Sequence, residues 1–201
     1  MMRIAPRQLR ERALRRRQGE RGAALIEAAI IMPVLLLVVF GIFEFGLLFR
    51  DELTLAQSTR DGARAGSAFG NEYDADYKVL RTIENAATAV PPELITRIVI
   101  FDPGVAEENG APTDDCKNGI AVVDVCNVYT PSTWADTARF GCNDSNDLDK
   151  FWCPSDRRVQ LGNVGYIGVW IEFLHPFVTG FFGEDITLTD QTIMRIEPKE
   201  Y

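Results

Sequence analysis

Histidine is almost missing from this chain: His175 is the one instance in 201 residues. It precedes Pro176 at the end of a strand-like run, and no serine or cysteine around it sits in a recognisable nucleophile motif. There is no glycine-rich phosphate-binding loop and no HExxH. The four cysteines, Cys116, Cys126, Cys142 and Cys153, lack the close CxxC pairs that usually build a four-thiolate zinc site. The oxygen-rich run Asn143–Asp149 has no glycine at its sixth position and no closing glutamate at a twelfth, so it fails the EF-hand template and reads as a solvated loop. The sequence therefore predicts no enzyme, no catalytic residue, no metal and no cofactor. Basic side chains are also scarce beyond residue 22, where 13 Lys and Arg face 27 Asp and Glu, a net of −14. A long acidic surface argues against nucleic acid, which needs a basic patch.

The missing basic charge is concentrated at the start. Residues 1–22 hold eight arginines (Arg3, Arg7, Arg10, Arg12, Arg15, Arg16, Arg17 and Arg21) against Glu11 and Glu20, a net of +6. By itself such a run is a solvated arm or a nucleic-acid contact. The neighbouring segment favours a membrane instead: Ala28 to Phe43 carries no charge at all. Taken from Ala23 to Phe49 the apolar segment spans about 40 Å as a helix, ample for a hydrocarbon core of about 30 Å. It has no polar face, unlike a soluble core helix. An ordinary signal peptide has an apolar core of about 7–15 residues ahead of its cleavage site, and this run is too long. Only Arg50, Arg60 and Arg64 stand in the twenty residues after it, so the N-terminus is expected in the cytoplasm and the remainder outside. The expected organisation is a basic leader 1–22, a transmembrane helix 23–49 and an extracytoplasmic domain 50–201. Glu27 inside the apolar stretch either snorkels to the interface or has a partner there. Pro33 predicts a kink or local loosening.

Arg21-Gly22-Ala23-Ala24-Leu25-Ile26-Glu27 resembles the processing site of type IV prepilin-like proteins, in which a membrane peptidase cuts after a glycine and a glutamate is the fifth mature residue. Counted from Ala23, Glu27 is fifth. Over residues 21–66 the likeness narrows. Gly22, Glu27, Pro33, the Gly41-Ile42-Phe43-Glu44 group and Asp61-Gly62-Ala63-Arg64 resemble the core of TadE-like proteins, minor pseudopilins of tight-adherence (Tad, or Flp) pilus systems. Beyond residue 66 only the layout is shared: strands, a corner near His175-Pro176, and a closing strand ending at Arg195-Ile196-Glu197-Pro198. The resemblance implies cleavage between Gly22 and Ala23 and recognition or assembly roles for Glu27, Pro33 and Glu44. It also implies a prepilin-type peptidase, other pilins and Tad assembly proteins as partners. An ion pair between a mature N-terminus and Glu27 would satisfy two groups that lipid penalises. The alternative is an uncleaved envelope adaptor whose outer domain binds a protein partner.

For that domain the sequence predicts an α+β fold: the first helix continuing outside the membrane, a second helix, then an antiparallel sheet of about four strands with disulfide-stapled inserts. Leu53, Ala56, Ala63 and Gly66 form a small-residue helix face, for packing on the domain itself or on a partner. Gly70-Asn71 stops this helix, and the second runs roughly over 74–89. Strands are expected at Ile95–Phe101, Ile120–Tyr129, Val164–Phe173 and Ile186–Ile196. In the third, Ile167, Val169, Ile171 and Phe173 face one way and Tyr166, Trp170 and Glu172 the other. Two long inserts, 102–118 and 130–163, hold the cysteines or adjoin them. Local pairing, Cys116–Cys126 and Cys142–Cys153, would staple each insert, and the other two connectivities remain allowed. The segment Phe177–Phe182 is an apolar loop, either buried beneath the helix or touching the membrane or a pilus partner.

Overall fold

The structure is a computed structural model that describes residues 6–105, 110–133 and 136–199, and of residues 6–21 the backbone alone. Residues 1–5 of the basic leader, 106–109 of the first insert and 134–135 of the second lie outside the described residues. The chain divides into two compact units, Met1–Gly46 and Leu47–Tyr201.

The backbone of the first unit is helical from Pro6 and belongs to α1 (Pro6–Phe69). The helix therefore starts upstream of the expected Ala23. Arginine, leucine, glutamine and glutamate favour helix, and Pro6 stands in the first turn, where its missing N–H goes unneeded. The helical assignment continues through Pro33, which has no N–H to offer the Ala29 carbonyl.

The second unit places the C-terminal part of α1 and α2 (Ala75–Ala86) against a four-stranded antiparallel sheet. The strands are β1 (Ile95–Phe101), β2 (Cys126–Tyr129), β5 (Tyr166–Pro176) and β6 (Asp185–Arg195), in spatial order β2-β1-β5-β6. A separate two-stranded ladder joins β3 (Val159–Gln160) to β4 (Asn163–Val164). The fold is thus α+β, with helices first and strands afterwards. Alternation along β5 sets its two faces. Ile167, Val169, Ile171 and Phe173 join Ile98 and Ile100 of β1, and Val79, Leu80 and Ile83 of α2, in the main core. On the opposite face Val99, Phe101 and Trp170 pack with Cys116 and Cys126. The disulfides join Cys116 to Cys126 and Cys142 to Cys153. The first ties the short helix α3 (Asp114–Lys117) to β2.

Several expected bounds differ: α2 ends at Ala86, and β5 runs over Tyr166–Pro176 in place of the expected Val164–Phe173, Val164 belonging to β4. The strand read over Ile120–Tyr129 is regular only from Cys126. The chain turns back at Val122, whose carbonyl accepts from the amides of Val125 and Cys126, and Asp124 takes a φ of 59°. This turn uses the hydrogen-bonding groups that a longer strand would spend on β1. On the expected helix face Ala63 and Gly66 are buried and Ala56 is half-buried, but Leu53 is 72% exposed; the buried stripe is Leu55, Ser58, Thr59, Gly62, Ala63, Gly66 and Ser67. These seven positions follow helical spacing and settle the packing choice: the small residues serve the chain's own sheet.

Candidate functional site

In the first unit the feature with chemical consequence is exposed apolar helix. Every residue from Gly22 to Phe40 is exposed, with Leu25, Ile26, Ile30 and Val34 each at 65% or more. The span reaches a mean hydropathy of 2.7 with none of that window buried, and is long and apolar enough to cross a membrane. In water such a surface would be a severe liability, and in lipid it is matched to its solvent. One candidate membrane-spanning helix fits a single-pass membrane protein.

The expected processing residues Gly22 and Ala23 lie on this exposed helix, and a Cβ placed on Gly22 would meet nothing within 4 Å. Glu27 is also exposed. It lies one helical turn beyond Ala23, on the same face of α1. Pro33 follows in the exposed stretch. Glu44 differs from all of these, being buried at 1% exposure. The structure thus sets Gly22, Ala23 and Glu27 together within two turns, and leaves Pro33 and Glu44 farther along the helix.

In the second unit, α1 is fixed to the sheet by contacts that run in order along both elements. Asp51 Oδ2 lies 2.7 Å from His175 Nδ1 near the end of β5, and Arg50 donates to the other Asp51 oxygen. A Cβ on Gly62 would lie 2.7 Å from Ile83 of α2 and 3.5 Å from Val169 of β5, and one on Gly66 would lie 2.7 Å from Ile167 of β5. Ser67 donates to the Arg195 carbonyl at 2.6 Å, and Thr59 donates to Asp190 of β6. Gly70, at a φ of +54°, ends the helix in the left-handed conformation. The sequence carries no signal for the Asp51–His175 pair, because 124 positions separate its members.

A second polar centre is buried under α2. Asp76 and Arg157, both with fully buried side chains, pair at 2.6 Å. The Tyr129 hydroxyl donates to the other Asp76 oxygen at 2.6 Å, and Asn127 donates to it at 3.0 Å. Arg157 also stacks over the Trp152 ring at 4.2 Å. Burial, and next the negative Asp76, raise the Tyr129 phenol well above its ordinary value. This centre joins α2, β2 and the second insert. Its named partners are all protein groups of the interior, and Arg157 Nε and Nη1 are buried with no hydrogen-bond partner among the described residues.

The acidic loop proves to be folded by its own carboxylates. Asp147 accepts from the amides of Asn143 and Asp144 at 2.7 and 3.0 Å, and Asp149 from those of Gly141 and Cys142 at 2.9 and 3.2 Å. Burial raises the Asp149 carboxyl, whereas the Asn146 amide lowers that of Asp144. Among the described residues no group of three or more His, Cys, Asp and Glu is arranged to hold a metal ion.

Residues 22–64 match the family model TadE, described as TadE-like protein. The match covers about a fifth of the chain and begins at Gly22. It includes Glu27, Pro33, Glu44 and Asp61–Arg64, the residues on which the resemblance rests. No curated protein and no solved structure matches the chain.

Proposed function

We propose that this chain is a minor pseudopilin of the TadE-like kind, cut after Gly22 and recruited through its N-terminal helix to a Tad pilus or its assembly machinery. The observation that carries this reading is the register of the family match. The match opens at Gly22, Glu27 is the fifth residue after it, and an apolar helix exposed throughout Gly22–Phe40 lies in the matched range, which supports a cut at this position. The arginine-rich segment ahead of Gly22 holds the N-terminus in the cytoplasm, and residues beyond the span lie outside. The peptidase acts at the cytoplasmic face, where Gly22 and Ala23 carry no bulky side chain. In the assembled state the new amino group at Ala23 pairs with the Glu27 carboxylate, so that neither charge faces lipid alone.

The uncleaved-adaptor reading shares the anchor but gives Glu27 no assembly role. Glu27→Leu separates the two. On the pseudopilin reading, pilus assembly is lost while the membrane level of the protein is unchanged, as measured by pilus shearing and immunoblotting. Unimpaired piliation in Glu27→Leu contradicts the proposed role of the helix.

A further inference from the structure

The tip between β5 and β6 is apolar and exposed. Val178, Phe181 and Phe182 are 68%, 67% and 47% exposed. Gly180 and Gly183 take φ values of +68° and +119°, and a Cβ on either would meet nothing within 4 Å. No lysine or arginine occurs from Phe177 to Gly183, and Glu184 and Asp185 come next. The burial beneath the helix that the sequence allowed for this loop does not occur. The loop is nevertheless ordered at its base. The Phe177 amide donates to the Glu184 carbonyl at 2.9 Å, and the Phe177 ring lies 5.4 Å from His175, edge to face, and 6.2 Å from Phe182.

Its position along the unit is fixed by the ordered contacts of α1. Gly66 meets Ile167, Gly62 meets Val169, and Asp51 meets His175, so β5 runs antiparallel to α1 and leads toward the residues where the unit begins. From Asp51 back to Leu47 is about 6 Å of helix. Pro176 and Phe177, paired with Asp185 and Glu184, continue about 7 Å past His175 in the same direction. The tip therefore reaches the level of Leu47, where the chain enters from its apolar membrane segment. An exposed Val-Phe-Phe cluster at that level fits one occupant, the lipid interface, where Phe and other apolar side chains bury at the boundary of headgroups and acyl chains.

We infer that the β5–β6 tip, through Val178, Phe181 and Phe182, inserts into the outer interface of the bilayer that α1 crosses, as a second membrane contact. The His175–Asp51 bond sets the tip's height against α1. The attraction is apolar, because the tip carries no cation to meet anionic headgroups. The inference needs only that α1 spans a bilayer, and stands or falls apart from leader cleavage and pilus assembly.

The test uses the full chain reconstituted in phosphatidylcholine vesicles, with tryptophan placed at the tip as Phe181→Trp and, separately, Val178→Trp. Leu161→Trp is the control: Leu161 is 69% exposed in the β3–β4 turn, and a Cβ on Gly70 would lie 3.3 Å from the nearby Val159. Gly70 stands nineteen residues after Asp51, at the end of α1, so the control lies about 28 Å along α1 from the Asp51–His175 contact at the base of the tip. Emission above the wild-type tryptophan background is compared between plain lipid and lipid brominated at shallow acyl positions. Bromolipid is expected to reduce the added emission about twofold at either tip position, as for an interfacial tryptophan, and to leave the control unchanged. Variants are compared only where the thermal midpoint matches wild type. Tip emission quenched no more than the control overturns the inference, including the case in which the tip is reserved for a protein partner.

Discussion

Gly168 leaves no room for a methyl group. A Cβ there would lie 2.3–2.7 Å from the ring of Phe101, its cross-strand neighbour. Phe101 is fully buried, so the ring cannot swing into solvent. Gly168→Ala is expected to destabilise the protein by about 1–3 kcal/mol as an overpacked core site, read as a lowered urea midpoint of the full chain in detergent. The Asp76 centre is governed by charge instead. Arg157→Met leaves Asp76 buried without its cation and is expected to cost about 3–5 kcal/mol; an unchanged midpoint would show that Asp76 does not depend on that ion pair. Tyr129 adds a pH dependence. Its folded-state pKa lies above the unfolded value of about 10. Above that pH the unfolded chain sheds a proton that the folded chain keeps, so stability falls as pH rises from about 10 toward the folded pKa. Tyr129→Phe should flatten this decline in urea midpoints measured from about pH 8 to 11. None of these residues can be picked out in the sequence. Asp76 and Tyr129 are 53 positions apart, and a buried glycine beneath an aromatic ring becomes visible only with the strand register.

The elements legible in the sequence are those whose pattern is strong over many residues. β1 stands at its expected bounds because a β-branched run ends at Asp102-Pro103-Gly104, and β5 announces itself by an alternation that separates two buried faces. β2 is shorter than its apolar content suggests: Ile120 and Val123 are 57% and 64% exposed, in a segment turned back on itself next to the Cys116–Cys126 crosslink. β3 and β4 have two residues each, too few for a period to register. Their turn depends on Gly162 at a φ of +91°. At this scale the first disulfide is the testable element. It closes a sequence separation of ten residues, for which chain entropy gives about 2–3 kcal/mol. Replacing both Cys116 and Cys126 by alanine should lower the urea midpoint accordingly, and should loosen the packing around Trp170, seen as a red shift in tryptophan emission.

Across the whole molecule the averages conceal the organisation. Mean hydropathy is −0.05, yet one helix contains a window at 2.7 and the residues after position 22 carry a net charge of −14. That contrast is plain in the sequence because a charge-free run needs no tertiary contact to be recognised. The family register is legible for the same reason, since Gly22, Glu27 and Pro33 lie on one continuous helix. The rest of the chain, beyond residue 64, falls outside the family match, and its organisation depends on long-range pairs. With 0% of the apolar window buried, the protein should remain in the membrane pellet after alkaline carbonate washing, and recovery in the supernatant would contradict a spanning helix. The central claim goes further, to a cut that makes this helix the N-terminus of the mature protein. Its most direct test is N-terminal sequencing, with intact mass, of the protein purified from cells that contain the cognate peptidase. The account predicts a chain beginning at Ala23; a terminus at Met1 or Met2 in those cells would contradict it.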